Sequence, residues 1–157
     1  MPTRVNKSNY ISPYISPANH RALYYISQKI EKKLTNLSKF KINTLAYIWV
    51  QFFAENIENH KIAELIDVEQ KHEAKSKQLQ MYFSNIESIQ RIESICKSKN
   101  YNVSQFVNCS IHSVNLFFEI FKTSKELKTL FLEFLNKEFE TSKRVVFLNL
   151  FNIIKKL

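Results

Sequence analysis

One short run constrains this chain more than any other. From Gln78 to Asn85 the sequence reads QLQMYFSN, and Leu79, Met81 and Phe83 alternate with Gln78, Gln80 and Tyr82. That period of two belongs to a strand with one buried face and one polar face. The rest of the chain repeats its apolar residues at three and four, the period of helices. A lone strand leaves its backbone N–H and C=O groups without partners, so this segment must pair with a second strand.

Bulk properties narrow what the paired strand can serve. The chain has 157 residues, 45% hydrophobic and 13% aromatic, enough for one domain or two small ones with a real core. It contains no glycine, which excludes the phosphate-cradling loops of dinucleotide-binding and P-loop proteins, because both need glycine where backbone approaches phosphate. A net charge of +9 points to a polyanionic partner, most often nucleic acid, although a membrane surface would answer to the same field. The charge is uneven: Met1–Lys41 holds eight Lys or Arg and one acid, Ile42–Glu73 two Lys and six acids. No apolar run approaches the roughly 18 residues of a membrane span. The N-terminus lacks the apolar stretch of a signal peptide, and Cys96 and Cys109 read as small buried thiols. No membrane role and a cytoplasmic location are therefore expected.

Along the chain, residues 1–17 carry all three prolines and are expected to form an extended basic arm. Residues 18–76 form a helical region. Leu23, Ile26, Ile30, Leu34 and Leu37 mark one helix, with Lys29, Lys32 and Lys33 on its other face. Leu45, Ile48, Trp49, Phe52, Phe53 and Ile57 mark a second. After the strand, Ser84 and Glu87 form a capping box for a helix faced by Ile86, Ile89, Ile92 and Ile95. Asn100 suits the left-handed conformation that stops it. Asn102 or Ser104 caps the next helix, which is expected to run unbroken to Phe121. Residues 122–157 contain a further helical pair, around Leu127–Phe139 and Val145–Ile154.

Strand, helix, short turn and helix within residues 77–121 resemble the ribbon-helix-helix family of DNA-binding proteins. KQLQMYFS corresponds to the strand, NIESIQRIESICKSK to the first helix, NYN to the turn and VSQFVNCSIHSVNLFF to the second helix. Asn100 replaces the usual glycine and Asn102 the first serine, and the strand lacks the Arg or Lys that many members present to DNA. The implied fold class is mainly α, a ribbon-helix-helix unit with additional N-terminal and C-terminal amphipathic helices. The resemblance implies that two strands pair antiparallel into a ribbon that enters the major groove, as β-ribbon readers do. Gln78, Gln80 and Tyr82 would then meet base edges. The amides of Asn102, Val103, Ser104 and Gln105 at the start of the second helix would hold a phosphate.

The ribbon's second strand comes from another copy in a homodimer, the first expectation, or from a degenerate copy in the N-terminal half. The latter makes an intrachain pseudo-dimer. It rests on NYISPYISPANH preceding a helix, a turn and a second helix, and on a loose match of Phe52–Phe53 to Phe117–Phe118; Pro13 would interrupt its strand. Arg4, Lys7, Lys29, Lys32 and Lys33 form the densest basic cluster and are expected to meet phosphates.

An enzyme is not expected. His20, His60, His72 and His112 fall into no metal-ligand spacing, the set Glu69, His72 and Glu73 reads as a solvated helix face, and Asp67 is the only aspartate. No cofactor or metal is expected. The expected function is sequence-specific binding of double-stranded DNA, as a transcriptional regulator or a plasmid or viral DNA-processing accessory factor. The alternative is a helical interaction or nucleic-acid-packaging protein that binds mainly through charge.

Overall fold

The computed structural model describes residues 9–33, 41–66, 77–83 and 85–157. It is mainly helical, with one small antiparallel pairing of strands. In chain order the elements are β1 (Tyr10–Ile11), β2 (Tyr14–Ile15), α1 (Pro17–Lys33), α2 (Ile42–Glu55), α3 (His60–Ile66), β3 (Lys77–Gln78) and β4 (Met81–Tyr82). There follow α4 (Ile86–Lys99), α5 (Val103–His112), a 3-10 turn (Ser113–Leu116), α6 (Phe117–Thr123), α7 (Lys125–Ser142) and α8 (Val145–Lys155).

The alternating segment finds its partner within the same chain. β1 pairs with β4, Tyr10 opposite Tyr82 and Ile11 opposite Met81; β2 pairs with β3, Tyr14 opposite Gln78 and Ile15 opposite Lys77. Both ladders share one register, so residues 9–15 and 77–83 form a single two-stranded ribbon. Its break lies at Pro13. The Leu79 N–H donates to the Pro13 carbonyl at 3.0 Å, but proline has no N–H to return the bond. The described part of the expected basic arm is therefore half of the ribbon. The strand is supplied from within the chain rather than by the homodimer that was the first expectation.

A two-stranded ribbon has two outer edges, and the starts of α5 and α2 cover one each. The Tyr14 N–H donates to Ser104 Oγ at 3.0 Å. On the other side, Asn43 Nδ2 donates to the Gln80 carbonyl at 2.8 Å. Ser104 and Asn43 are both the second residue of their helices, so the two halves treat the ribbon alike. Asn108 extends the first edge, its Nδ2 donating to the Tyr14 carbonyl at 2.9 Å and its Oδ1 accepting from the Ser16 N–H at 2.9 Å.

Helix ends follow their sequence signals with one change. Asn100 stops α4 in the left-handed region, φ 58°, ψ 40°, and the Tyr101 N–H reaches back to the Cys96 carbonyl. Asn102 caps α5 in a reciprocal capping box with Gln105. α4, however, is capped by Asn85, whose side chain accepts from the Ser88 N–H. Ser84, the expected cap, lies outside the described residues, as do Leu34, Leu37, Asp67, Glu69, His72 and Glu73.

The helix expected to run from Val103 to Phe121 is interrupted at Ser113–Leu116. Ser110 Oγ and Ser113 Oγ donate to the carbonyls of Phe106 and Ser110, and such back-bonding bends helices. Ser113 Oγ also accepts the buried Trp49 indole N–H at 3.0 Å.

Trp49 is the hub of one continuous core, its ring centroid 4.9 Å from Phe117, 5.1 Å from Phe53 and 5.8 Å from Phe131. Residues from both halves and from the C-terminal pair thus share one interior. Tyr47 ties that pair to the ribbon: its ring lies 5.1 Å from Phe83 and 6.4 Å from Phe147, and its hydroxyl donates to Glu138 Oε2 at 2.9 Å.

Candidate nucleic-acid interface

The ribbon's inner face is apolar. Leu79, Met81 and Phe83 are 5%, 1% and 0% exposed, and Ile15 is 0% exposed. Burying three such side chains stabilises the ribbon by about 1.5–3 kcal/mol each. The outer face carries Tyr10, Ser12 and Tyr14 from one strand and Gln78, Gln80 and Tyr82 from the other, all exposed. Residues 9–15 and 77–83 contain no carboxylate.

These side chains are not equally free. Tyr10 and Tyr82 lie side by side, ring centroids 5.0 Å apart. Gln78 Nε2 donates to the Ser12 carbonyl at 3.3 Å. Gln80 sits in the middle pair opposite Ser12, and its side-chain amide makes no hydrogen bond among the described residues. It therefore keeps both the donor and the acceptor that a bidentate contact to adenine requires.

The start of α5 also differs from a simple run of free amides. Asn102 Oδ1 accepts from the Gln105 N–H at 2.8 Å, and the Asn102 N–H donates to Gln105 Oε1 at 2.7 Å. Those two amides are engaged, and the first-turn amides of Val103 and Ser104 remain for an acceptor. At α2 the residue before the helix, Lys41, makes no side-chain cap.

Basic residues lie in the helices or positions that precede both edge-covering helices in sequence. Lys32 and Lys33 lie in the last turn of α1, Lys97 and Lys99 in that of α4, and Lys41 immediately precedes α2. Lys29 lies over the Tyr25 ring, its Nζ 4.5 Å from the centroid. Arg4 and Lys7 are outside the described residues. Tyr10, Ser12, Tyr14, Lys41, Lys97 and Lys99 escaped the sequence reading. The first three do alternate with Ile11, Pro13 and Ile15, but Pro13 masked the strand.

The other chemistry-bearing residues are scattered. Among the described residues no group of three His, Cys, Asp or Glu side chains could hold a metal ion. Cys96 and Cys109 are buried and form no disulfide, and burial, with Glu93 nearby, pushes the Cys96 thiol up to about 11. No described helix is long and apolar enough to cross a membrane.

Comparison with protein-family models, curated proteins and solved structures yields no match to this chain.

Proposed function

We propose that this chain binds double-stranded DNA sequence-specifically, as two ribbon-helix-helix units folded within one polypeptide. In this reading it acts as a transcriptional regulator or a DNA-processing accessory factor. The observation that carries the reading is the intrachain ribbon, apolar inside and lined outside by side chains that can hydrogen-bond, with a helix N-terminus on each edge. A two-stranded ribbon fits the major groove, where base pairs are distinguishable. Val103 and Ser104 amides would meet phosphates, with Lys32, Lys33, Lys97 and Lys99 supplying the salt-dependent part of the affinity.

The test is Gln80→Ala. Its side chain is exposed and unbonded within the described structure, so the fold should survive, as circular dichroism would report. Binding to a duplex selected from a random pool should weaken by roughly 1–3 kcal/mol, with binding to scrambled duplex nearly unchanged. Equal losses on both duplexes would favour a protein that packages or contacts nucleic acid through charge.

A further inference from the structure

The outer face of the ribbon is not symmetric, although one helix start meets each of its edges. Tyr10 faces Tyr82, Ser12 lies opposite Gln80 in the same register, and Tyr14 faces Gln78. A local two-fold axis through the Ser12/Gln80 pair exchanges the strands, placing Tyr10 on Gln78, Ser12 on Gln80 and Tyr14 on Tyr82. The helices follow that axis only in outline: Asn43 and Ser104, each the second residue of its helix, bond opposite strands, at the Gln80 carbonyl and the Tyr14 N–H, and Asn108 adds further bonds on the Ser104 side. The outward side chains break it at two of three positions. One strand presents Tyr, Ser, Tyr and the other Gln, Gln, Tyr. One end of the ribbon is a tyrosine pair with rings 5.0 Å apart, and the other is a tyrosine beside a glutamine.

A homodimer of ribbon strands repeats one set of side chains about its axis and so reads the same bases on both strands of its site. A single chain with two different strands has no such constraint. Resting on the DNA-binding reading above, we infer that the recognised duplex is non-palindromic and that one chain occupies one site in a single orientation. Gln80 contributes a bidentate contact in one half of the site, and Ser12, with a single short hydroxyl, occupies the corresponding place in the other. The edge contacts support occupancy by one chain, because the Tyr14 N–H and carbonyl and the Gln80 carbonyl are already bonded to Ser104, Asn108 and Asn43 and are not offered to a second copy.

The experiment is selection of duplexes by the full chain from a random library, repeated with the double variant Tyr10→Gln, Ser12→Gln. That variant gives both strands the outward set Gln, Gln, Tyr. Both residues are exposed, and circular dichroism checks that the variant folds. The native chain should enrich a core that differs from its own reverse complement. Replacing one half of that core by the reverse complement of the other should weaken binding about 5- to 150-fold. Light scattering of the complex should give one chain per site. The double variant should enrich a palindromic core. A palindromic core selected by the native chain, or two chains on the shortest bound duplex, overturns the inference while leaving DNA reading in place. Unchanged asymmetry in the folded double variant also overturns it. Absence of any enriched core defeats both the inference and the reading it rests on.

Discussion

Replacing Asn108 by alanine probes the side chain that locks the N-terminal strand to the second half of the chain. The Asn108 side chain accepts from the Ser16 N–H at 2.9 Å and from Asn19 Nδ2 at 2.8 Å, and donates to the carbonyls of Tyr14 at 2.9 Å and Ser104 at 2.7 Å. Asn19 keeps a fallback, since its Nδ2 also reaches the Asn108 backbone carbonyl at 3.2 Å. Ser104, inside a helix, keeps its backbone bond. The groups stranded by truncation are thus the Ser16 N–H and the Tyr14 carbonyl. Each buried group left unpaired costs about 1–3 kcal/mol. Tyr14 is 50% exposed, so water reaches its neighbourhood and moderates the loss. Alanine's better helix propensity returns at most about 0.7 kcal/mol. The expected loss is about 2–4 kcal/mol, a large part of the 5–15 kcal/mol typical of a domain. Urea unfolding followed by circular dichroism should show a lower midpoint at unchanged slope, and hydrogen exchange should quicken first at Ser16. A loss below about 0.5 kcal/mol with Ser16 still protected would show that ladder pairing alone holds the strand, refuting this account.

Three further outcomes test the ribbon, the charge and the C-terminal helices. Met81→Asp places a carboxylate at a position 1% exposed and should abolish cooperative unfolding or lower stability by several kcal/mol, as calorimetry would show; a near-native melting temperature would contradict the buried inner face. Neutralising Lys32 and Lys33 should flatten the dependence of log affinity on log salt by about 0.9 for each phosphate these lysines meet, and an unchanged slope would remove them from the interface. Burial is the main cause that raises the Glu138 carboxyl above its usual range, with Glu55 adding and the Tyr47 hydrogen bond opposing. The folded state therefore holds that proton more tightly than the unfolded state, so the stabilisation is fully present below the ordinary carboxylate value and disappears as pH rises through the raised one. Glu138→Gln, which still accepts from Tyr47, should reduce the fall in melting temperature across that window; identical pH profiles for both proteins would refute the assignment.

Local sequence determined much of this protein. The alternation at Gln78–Phe83 set which side chains are buried, because neighbouring strand residues point to opposite faces. Asn100 ended α4 and Asn102 began α5, since both signals act through backbone groups within a few residues. The apolar spacings of α1, α2, α7 and α8 located those helices for the same reason. Tertiary structure decided the rest. Pro13 reads locally as a strand breaker, yet its carbonyl accepts from Leu79, and the buried inner face and the edge bonds at Tyr14 and Gln80 support the short ribbon around it. The bend at Ser113 depends in part on Trp49, 64 residues away in sequence. The partner of the alternating strand could have been another copy or the same chain, because any second extended segment satisfies the same backbone groups. In the fold the intrachain strand is held by Asn108 and Ser104, whose bonds to residues 14 and 16 span about ninety positions. Side chains that meet only after the chain has closed on itself leave no periodic mark in the sequence, which is why the sequence left the intrachain ribbon as one of two options and the fold decided between them.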